Sequence, residues 1–352
     1  MRLREKAMEL GFDVVGIAPA RLAPRAAELR AWLDAGYHAG MAWLERNGAR
    51  RADPGRVVPG AKSIVMVGYE YFVEDPPAAI WNDPLRGRIA RYAWGPDYHE
   101  QLLPKLQALA AYIEEAAPGT HHRAYVDTGP LLERTWAAEA GLGFIGRHSL
   151  LIHPARGSYL LLGGVITDAE LDYDEPAAEG GARLGRNDCG GCRRCLNICP
   201  TRAIREPYIV DSNRCLSYLT IEHKGAIPES LRPLAGNWIF GCDACQEICP
   251  WVRRFAQPRP DRFTAFDPER FAPDLLELMT LDKAGFRARY RDTPVWRTKR
   301  RGLLRNAAVA LGNAGDPVAL PVLRRALQDE EPLIREHAAW AIRHIEFGSR
   351  HP

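Results

Sequence analysis

The chain has 352 residues, 46% hydrophobic and 26% charged, with Lys+Arg 47 against Asp+Glu 44 and a net charge of +3. At about 100–200 residues per domain, this length predicts two or three domains, and the composition excludes a disordered or fibrous protein. The near balance of charge gives no chain-wide pull on an anionic partner, so a nucleic-acid reading has to rest on where the charges sit.

The first residues, Met1-Arg-Leu-Arg-Glu-Lys, are charged and amphipathic and lack the apolar region and cleavage site of an export signal. The apolar run from Tyr159 to Ile166 is far shorter than the roughly 18 residues that span a bilayer. A cytoplasmic protein without membrane contact is expected.

Helical and strand-like patterns alternate over the first half. Residues 2–10, 26–35, 102–116 and 131–140 read as helices, and 13–18, 63–69, 124–126 and 159–167 as strands. In the longest helix, Leu102, Leu106, Leu109, Ala110 and Ile113 fall on one face. This alternation predicts an α/β layer architecture. The acidic, Gly-rich stretch 172–186 reads as a linker, and the Pro/Arg-rich stretch 253–261 leads into a helical tail. There Asn306-Ala-Ala-Val-Ala-Leu is echoed 31 residues later by His337-Ala-Ala-Trp-Ala-Ile, with Gly315-Asp-Pro opening a helix between them. Such a period suits a HEAT-like array, or else an unrelated helical bundle.

All eight cysteines lie between Cys189 and Cys249. Crowding of this kind in a chain without export features points to metal or redox chemistry rather than disulfides. The run Cys189-Gly-Gly-Cys192-Arg-Arg-Cys195-Leu-Asn-Ile-Cys199-Pro has the ferredoxin spacing for a cubane cluster. A second run, Cys242-Asp-Ala-Cys245-Gln-Glu-Ile-Cys249-Pro, is one cysteine short, and Cys215 stands 27 residues upstream of it. Crossing the ligands as in two-cluster ferredoxins gives one 4Fe–4S set from Cys189, Cys192, Cys195 and Cys249, and another from Cys199, Cys215, Cys242 and Cys245. Zinc is the weaker alternative, because four-cysteine zinc sites rarely use this spacing.

Taken together, Val126-Asp127-Thr128-Gly129-Pro130, Gly146-Arg-His148-Ser149, Arg214-Cys215-Leu-Ser217 through Lys224-Gly225, and Gly241-Cys242-Asp243 resemble the epoxyqueuosine reductase family. The resemblance runs over nearly the whole chain. It implies a cobalamin cofactor, two 4Fe–4S clusters and reduction of an epoxide on the modified wobble base of tRNA, the last step of queuosine synthesis. It also implies a cobalamin domain similar to that of reductive dehalogenases.

By this resemblance Asp127 is the proton donor, although a turn or N-cap aspartate would explain the residue equally well without it. Arg51, Asp127, His148, Ser149, Ser217, Lys224 and Asp243 are the expected cobalamin contacts. His99 lacks the Asp-x-His-x-x-Gly context of an axial cobalt ligand and reads as a capping or surface group. The basic stretch holding Arg297, Lys299, Arg300, Arg301 and Arg305 follows Trp296, which could stack on a base. This stretch is the expected RNA contact, and a solvated helix start is its plain alternative.

The expected layout is an α/β cobalamin-binding domain over 1–171, a ferredoxin-like two-cluster module over 172–255 and an all-α HEAT-like domain over 256–352. The expected partners are a tRNA anticodon stem-loop and a low-potential donor such as flavodoxin or ferredoxin, with the chain a monomer. Two other readings stand beside this one: a cytoplasmic corrinoid enzyme similar to the dehalogenases, and a non-catalytic iron–sulfur electron carrier.

Overall fold

A computed structural model describes residues 2–176, 188–259, 262 and 267–348. Most of the expected linker, and the end of the Pro/Arg-rich stretch, lie outside these residues. The strands β1 (Val14–Pro19), β2 (Ser63–Glu70), β3 (His122–Tyr125) and β4 (Leu160–Thr167) form one sheet in the order β1-β2-β4-β3. Helix–strand alternation leaves strand direction open, and here every pairing is antiparallel.

Every residue of β2 is buried, because both faces of the sheet are covered. Val65, Val67 and Tyr69 point to the side packed by Leu102, Leu106, Leu109 and Ile113 of the helix Tyr98–Ala116. Ile64 and Met66 point the other way, against Trp136 and Ala137 of the helix Glu133–Glu139. Strand period 2 and helix period 3.6 thus meet on each face, which is why the SIVMVGY run is continuously apolar. Glycines allow the close approaches: a Cβ at Gly16 would lie 2.0 Å from the Ala140 carbonyl oxygen.

The tail is helical, with Lys299–Ala314, Leu320–Ala326 and Pro332–Gly348. Gly315 closes the first of these helices in the left-handed region at φ 68, and the Asp316 side chain accepts from the Val318 N–H to start the next turn. The two echoed positions, Asn306 and His337, are both buried. A Cβ at Gly312 would stand 2.6 Å from the Trp340 ring, so the repeat pair packs closely there.

The tail does not bury its apolar face alone. One core joins Leu303, Leu304 and Leu311 of the tail to Ile89 and Trp94, and to Leu216, Leu219, Ile239 and Phe240 from among the cysteines. The apolar core therefore crosses the expected boundary at 255. Among the described residues no helix is long and apolar enough to cross a membrane.

Candidate iron–sulfur and catalytic site

All eight thiols are free, which rules out disulfide pairing among them. Cys189, Cys192, Cys195 and Cys249 line one cavity of about 140 Å³, together with His148 and Trp251. The remaining four are close enough to act on one another: beyond burial, Cys242, Cys215 and Cys199 each help push the Cys245 thiol up. Cys189, Cys249 and Cys192 do the same at Cys195. The fold thus draws the eight cysteines into two neighbourhoods of four.

Short helices aim backbone donors at these sulfurs. Cys215 precedes the helix Leu216–Ile221 and accepts from the Ser217 and Tyr218 N–H groups. Cys249 precedes Pro250–Phe255 and accepts from Trp251 and Val252. The Ala203 N–H donates to Cys199 Sγ over 3.2 Å. Such N–H donors stabilise thiolate ligands and tune cluster potential.

Burial opposes the bare thiolate, pushing the Cys195 thiol up to about 11 and Cys245 well above its ordinary value. Bound iron would compensate that charge. Among the described residues, no three His, Cys, Asp or Glu side chains close round a single metal ion. Zinc would hold its sulfurs about 3.8 Å apart, as follows from Zn–S bonds of about 2.3 Å in a tetrahedron. The corners of a four-iron cube set them farther apart, so the lack of a single-ion site among the described residues is compatible with cubanes.

Asp127 sits in the turn between β3 and the helix Glu133–Glu139, with φ +60, a left-handed conformation that costs a non-glycine residue about 1–2 kcal/mol. Its backbone N–H donates to Glu133 Oε1 over 2.6 Å, which holds the turn. Its side chain is 54% exposed. The Tyr98 hydroxyl donates to Oδ2 over 2.9 Å, Arg297 Nη1 lies 3.6 Å away and His99 Nε2 3.9 Å away. Arg297 also contacts both ring nitrogens of His99.

Tyr98 and His99 owe their place to the helix start, where the Asp97 side chain accepts from the His99 N–H. Nothing in the sequence singles out Tyr98, and His99 reads there as a capping or surface group. The cap signal at Asp97 marks where both residues project, but only the fold brings that helix start to the Asp127 turn.

Behind Asp127, Glu133 has its carboxyl pushed up to about 8, first by burial and then by the Asp127 charge. Arg51 opposes that shift; it is buried, and its Nη1 donates to the Leu131 carbonyl over 3.1 Å. Its Nε is buried and has no partner among the described groups. A guanidinium with an unused donor beside a half-exposed carboxylate fits the amide and phosphate groups of a corrinoid.

Tyr92 connects this cluster to the second cysteine group. Its ring meets Tyr98 edge-on at 5.9 Å, and it is flanked by the charges of Asp127 and Arg297 as well as that of Asp243. Asp243, between Cys242 and Cys245, is buried and accepts from the Arg91 N–H over 2.6 Å.

The other expected contacts bond within the chain or line the first cysteine cavity. Ser149, at φ 66, donates to the Tyr208 carbonyl over 2.7 Å. Ser217 serves Cys215 through its backbone, and Lys224 is exposed with Nζ 3.4 Å from the Ile221 carbonyl. His148 lines the first cysteine cavity.

Three of the expected RNA contacts are turned inward. Arg305 is 1% exposed and donates to the carbonyls of Leu219, His223 and Gly225 and to Asn306. Its donors thus satisfy backbone oxygens that the core would otherwise strand. Arg300 is paired with Asp329. Trp296 stacks on Phe286 at 5.2 Å, an intramolecular contact. Lys299 and Arg301 are exposed, and Arg297 faces Asp127.

Two four-cysteine groups in one fold with a partly exposed, positioned carboxylate define an iron–sulfur oxidoreductase. A family model described as a 4Fe-4S double cluster binding domain matches residues 188–252, and one for HEAT repeats matches 298–350. The model for Epoxyqueuosine reductase QueG, DUF1730, matches residues 51–128. The epoxyqueuosine reductase of Salmonella typhimurium is 42% identical over 97% of this chain and 86% of its own length. That of Escherichia coli K12 is 41% identical over 97% and 88%.

Among solved structures, an epoxyqueuosine reductase with an epoxyqueuosine-modified tRNA-Tyr stem loop superposes with TM-score 0.87 at 32% identity, covering 97% of this chain and 89% of that one. The Streptococcus thermophilus epoxyqueuosine reductase does so with TM-score 0.87 at 30% identity, covering 99% and 90%. The chain belongs to the epoxyqueuosine reductase family, and is an oxidoreductase.

Proposed function

We propose that this chain reduces epoxyqueuosine to queuosine at the wobble position of tRNA, and that Asp127 is its proton donor. Net conversion of the epoxide to the alkene takes two electrons and two protons and releases the oxygen as water. The first proton is needed as the C–O bond opens and the second as the hydroxyl departs, so an acid must stand at the oxygen. Asp127 is a carboxyl on an open face, oriented by the Tyr98 hydroxyl and flanked by Arg297. That constellation, lying next to the second cysteine group through Tyr92 and Asp243, is the observation that carries the reading.

The two cysteine groups would hold 4Fe–4S clusters that deliver electrons singly from a low-potential donor such as flavodoxin or ferredoxin. A corrinoid, when bound, supplies a low-valent cobalt reductant; Arg51 and Asp127 would be among its contacts, with Ser149, Ser217, Lys224 and Asp243 in the surrounding shell. The chain's own task is to position and to polarise. Tyr98 and Arg297 fix the carboxyl, and Glu133 fixes the turn beneath it.

Residues 1–171 then form the cobalamin-binding part, 172–255 the electron-delivery part and 256–352 the RNA-gripping part, in a cytoplasmic monomer. The exposed Lys299 and Arg301 would meet RNA phosphates, giving salt-sensitive affinity. The test is turnover by anaerobically reconstituted protein with cobalamin on epoxyqueuosine-containing tRNA, read by mass spectrometry of the nucleosides. Queuosine formed by wild type and lost in Asp127→Asn is the expected result. No queuosine from protein carrying both clusters and cobalamin would overturn the reading.

A further inference from the structure

His148 occupies the turn between the short paired strands Phe144–Ile145 and Leu151–Ile152. The Gly146 N–H donates to the Leu150 carbonyl over 2.8 Å, and the Leu150 N–H donates to His148 Nδ1 over 3.2 Å. A backbone amide can only donate, so Nδ1 is an acceptor and the proton of the neutral imidazole sits on Nε2. Gly146 makes room for the ring: a Cβ there would lie 2.9 Å from His148 Cε1.

His148 is 4% exposed, and its Nε2 is buried without a partner among the described groups. Buried N–H donors are nearly always satisfied, so an unused one marks a missing acceptor. The ring lines the cavity formed by Cys189, Cys192, Cys195 and Cys249. The sequence marks this residue as an expected corrinoid contact, and its ring stands among the thiols.

We propose that the His148 Nε2–H donates a hydrogen bond to a sulfur of the cluster held by Cys189, Cys192, Cys195 and Cys249, and that this bond raises the reduction potential of that cluster. The inference rests on the reading of these four cysteines as cluster ligands. A reduced cluster carries one more negative charge than an oxidised one, so a fixed donor at its sulfur favours the reduced form. His148 is thus a positioning and tuning residue and takes no part in proton transfer to substrate.

The test is a potentiometric titration of the anaerobically reconstituted full chain, followed by EPR, for wild type and His148→Leu. The expected result is full iron content in both. One midpoint falls in the variant by about tenfold in the one-electron equilibrium, about 59 mV, and the other stays in place. Unmoved midpoints in an iron-replete variant overturn the inference.

Should the leucine variant lose iron, pulsed EPR of the reduced wild-type protein carrying heavy-nitrogen histidine decides. A histidine nitrogen coupled to a cluster supports the bond, and no such coupling overturns it. Wild type that assembles only the cluster of Cys199, Cys215, Cys242 and Cys245 would overturn the ligand assignment itself, a separate failure.

Discussion

Arg297 Nη1 stands 3.6 Å from Asp127 Oδ2, across a sequence gap that runs from the first sheet to the start of the C-terminal helices. The same guanidinium touches His99 and lies over the Tyr98 ring, so the orientation of the carboxyl depends on a residue contributed by the tail. Replacing Arg297 by Ala should lower kcat/KM about tenfold through loss of positioning, with the iron content unchanged. Single-turnover rates on epoxyqueuosine-containing tRNA measure this, and an unchanged rate would refute the positioning role.

Asp127→Asn separates chemistry from folding. Asparagine tolerates the left-handed backbone at φ +60 and keeps the size of the side chain, so the melting temperature should hold. Turnover should fall by about 10²–10⁴, the usual share of a positioned acid. Activity within a few fold of wild type would remove Asp127 from the proton path.

The two cysteine groups predict a pattern of iron loss. Cys215→Ala and Cys249→Ala should each lose about half the cluster iron, since each belongs to one of two four-cysteine groups. Adding Cys192→Ala to Cys249→Ala should cost no more, whereas combining Cys215→Ala with Cys249→Ala should empty the protein. Iron and sulfide analysis per chain reads the result, and full retention by Cys215→Ala would remove it from the ligands.

Glu133 makes stability depend on pH. Its carboxyl is raised in the fold from 4.5 to about 8, so the folded chain binds the proton more tightly than the unfolded one. Stability from this group is complete below the ordinary carboxyl range and declines as pH rises towards about 8. The Asp127 charge adds to the rise that burial causes at Glu133. Glu133→Gln should flatten the decline, making the variant progressively more stable than wild type between pH 5 and 9. Urea midpoints across that range test it; parallel curves would contradict the buried charge.

Arg305 and Arg301 should behave oppositely despite their proximity. Arg305→Met strands three backbone carbonyls in the core and should cost about 3–5 kcal/mol, as breaking a buried charged network does. Arg301→Ala should leave thermal stability alone. It should weaken RNA binding uniformly and reduce the salt slope by about 1. Calorimetry and binding isotherms at several salt concentrations distinguish the two.

The cysteine spacing made the metal chemistry legible from sequence because ligand geometry is local: a cube's corners are reached from one loop, and Cys215 completes the count. The layered first half was legible for the same reason, since the periodicity of 63–69 and of Leu102 to Ile113 depends only on which face is buried. Long-range pairing was not legible. A run of positive charges reads alike whether its members face water or, as with Arg305, turn onto carbonyls from a segment some eighty residues away. Trp296 reads as a possible base platform until Phe286 is found beneath it. His148 is a single residue with no local pattern to say which of two cofactors it meets.

The shared apolar core has an architectural consequence. Cys215 directly precedes Leu216–Ile221 and Cys242 follows Trp238–Phe240, both of which enter the core that the C-terminal helices complete. Half of the wiring is therefore anchored to the arm at the far end of the chain. The iron-bearing segment is not a cassette that could be excised and run as a free-standing ferredoxin, nor could the helical arm be grafted elsewhere without exposing the floor on which those thiols rest.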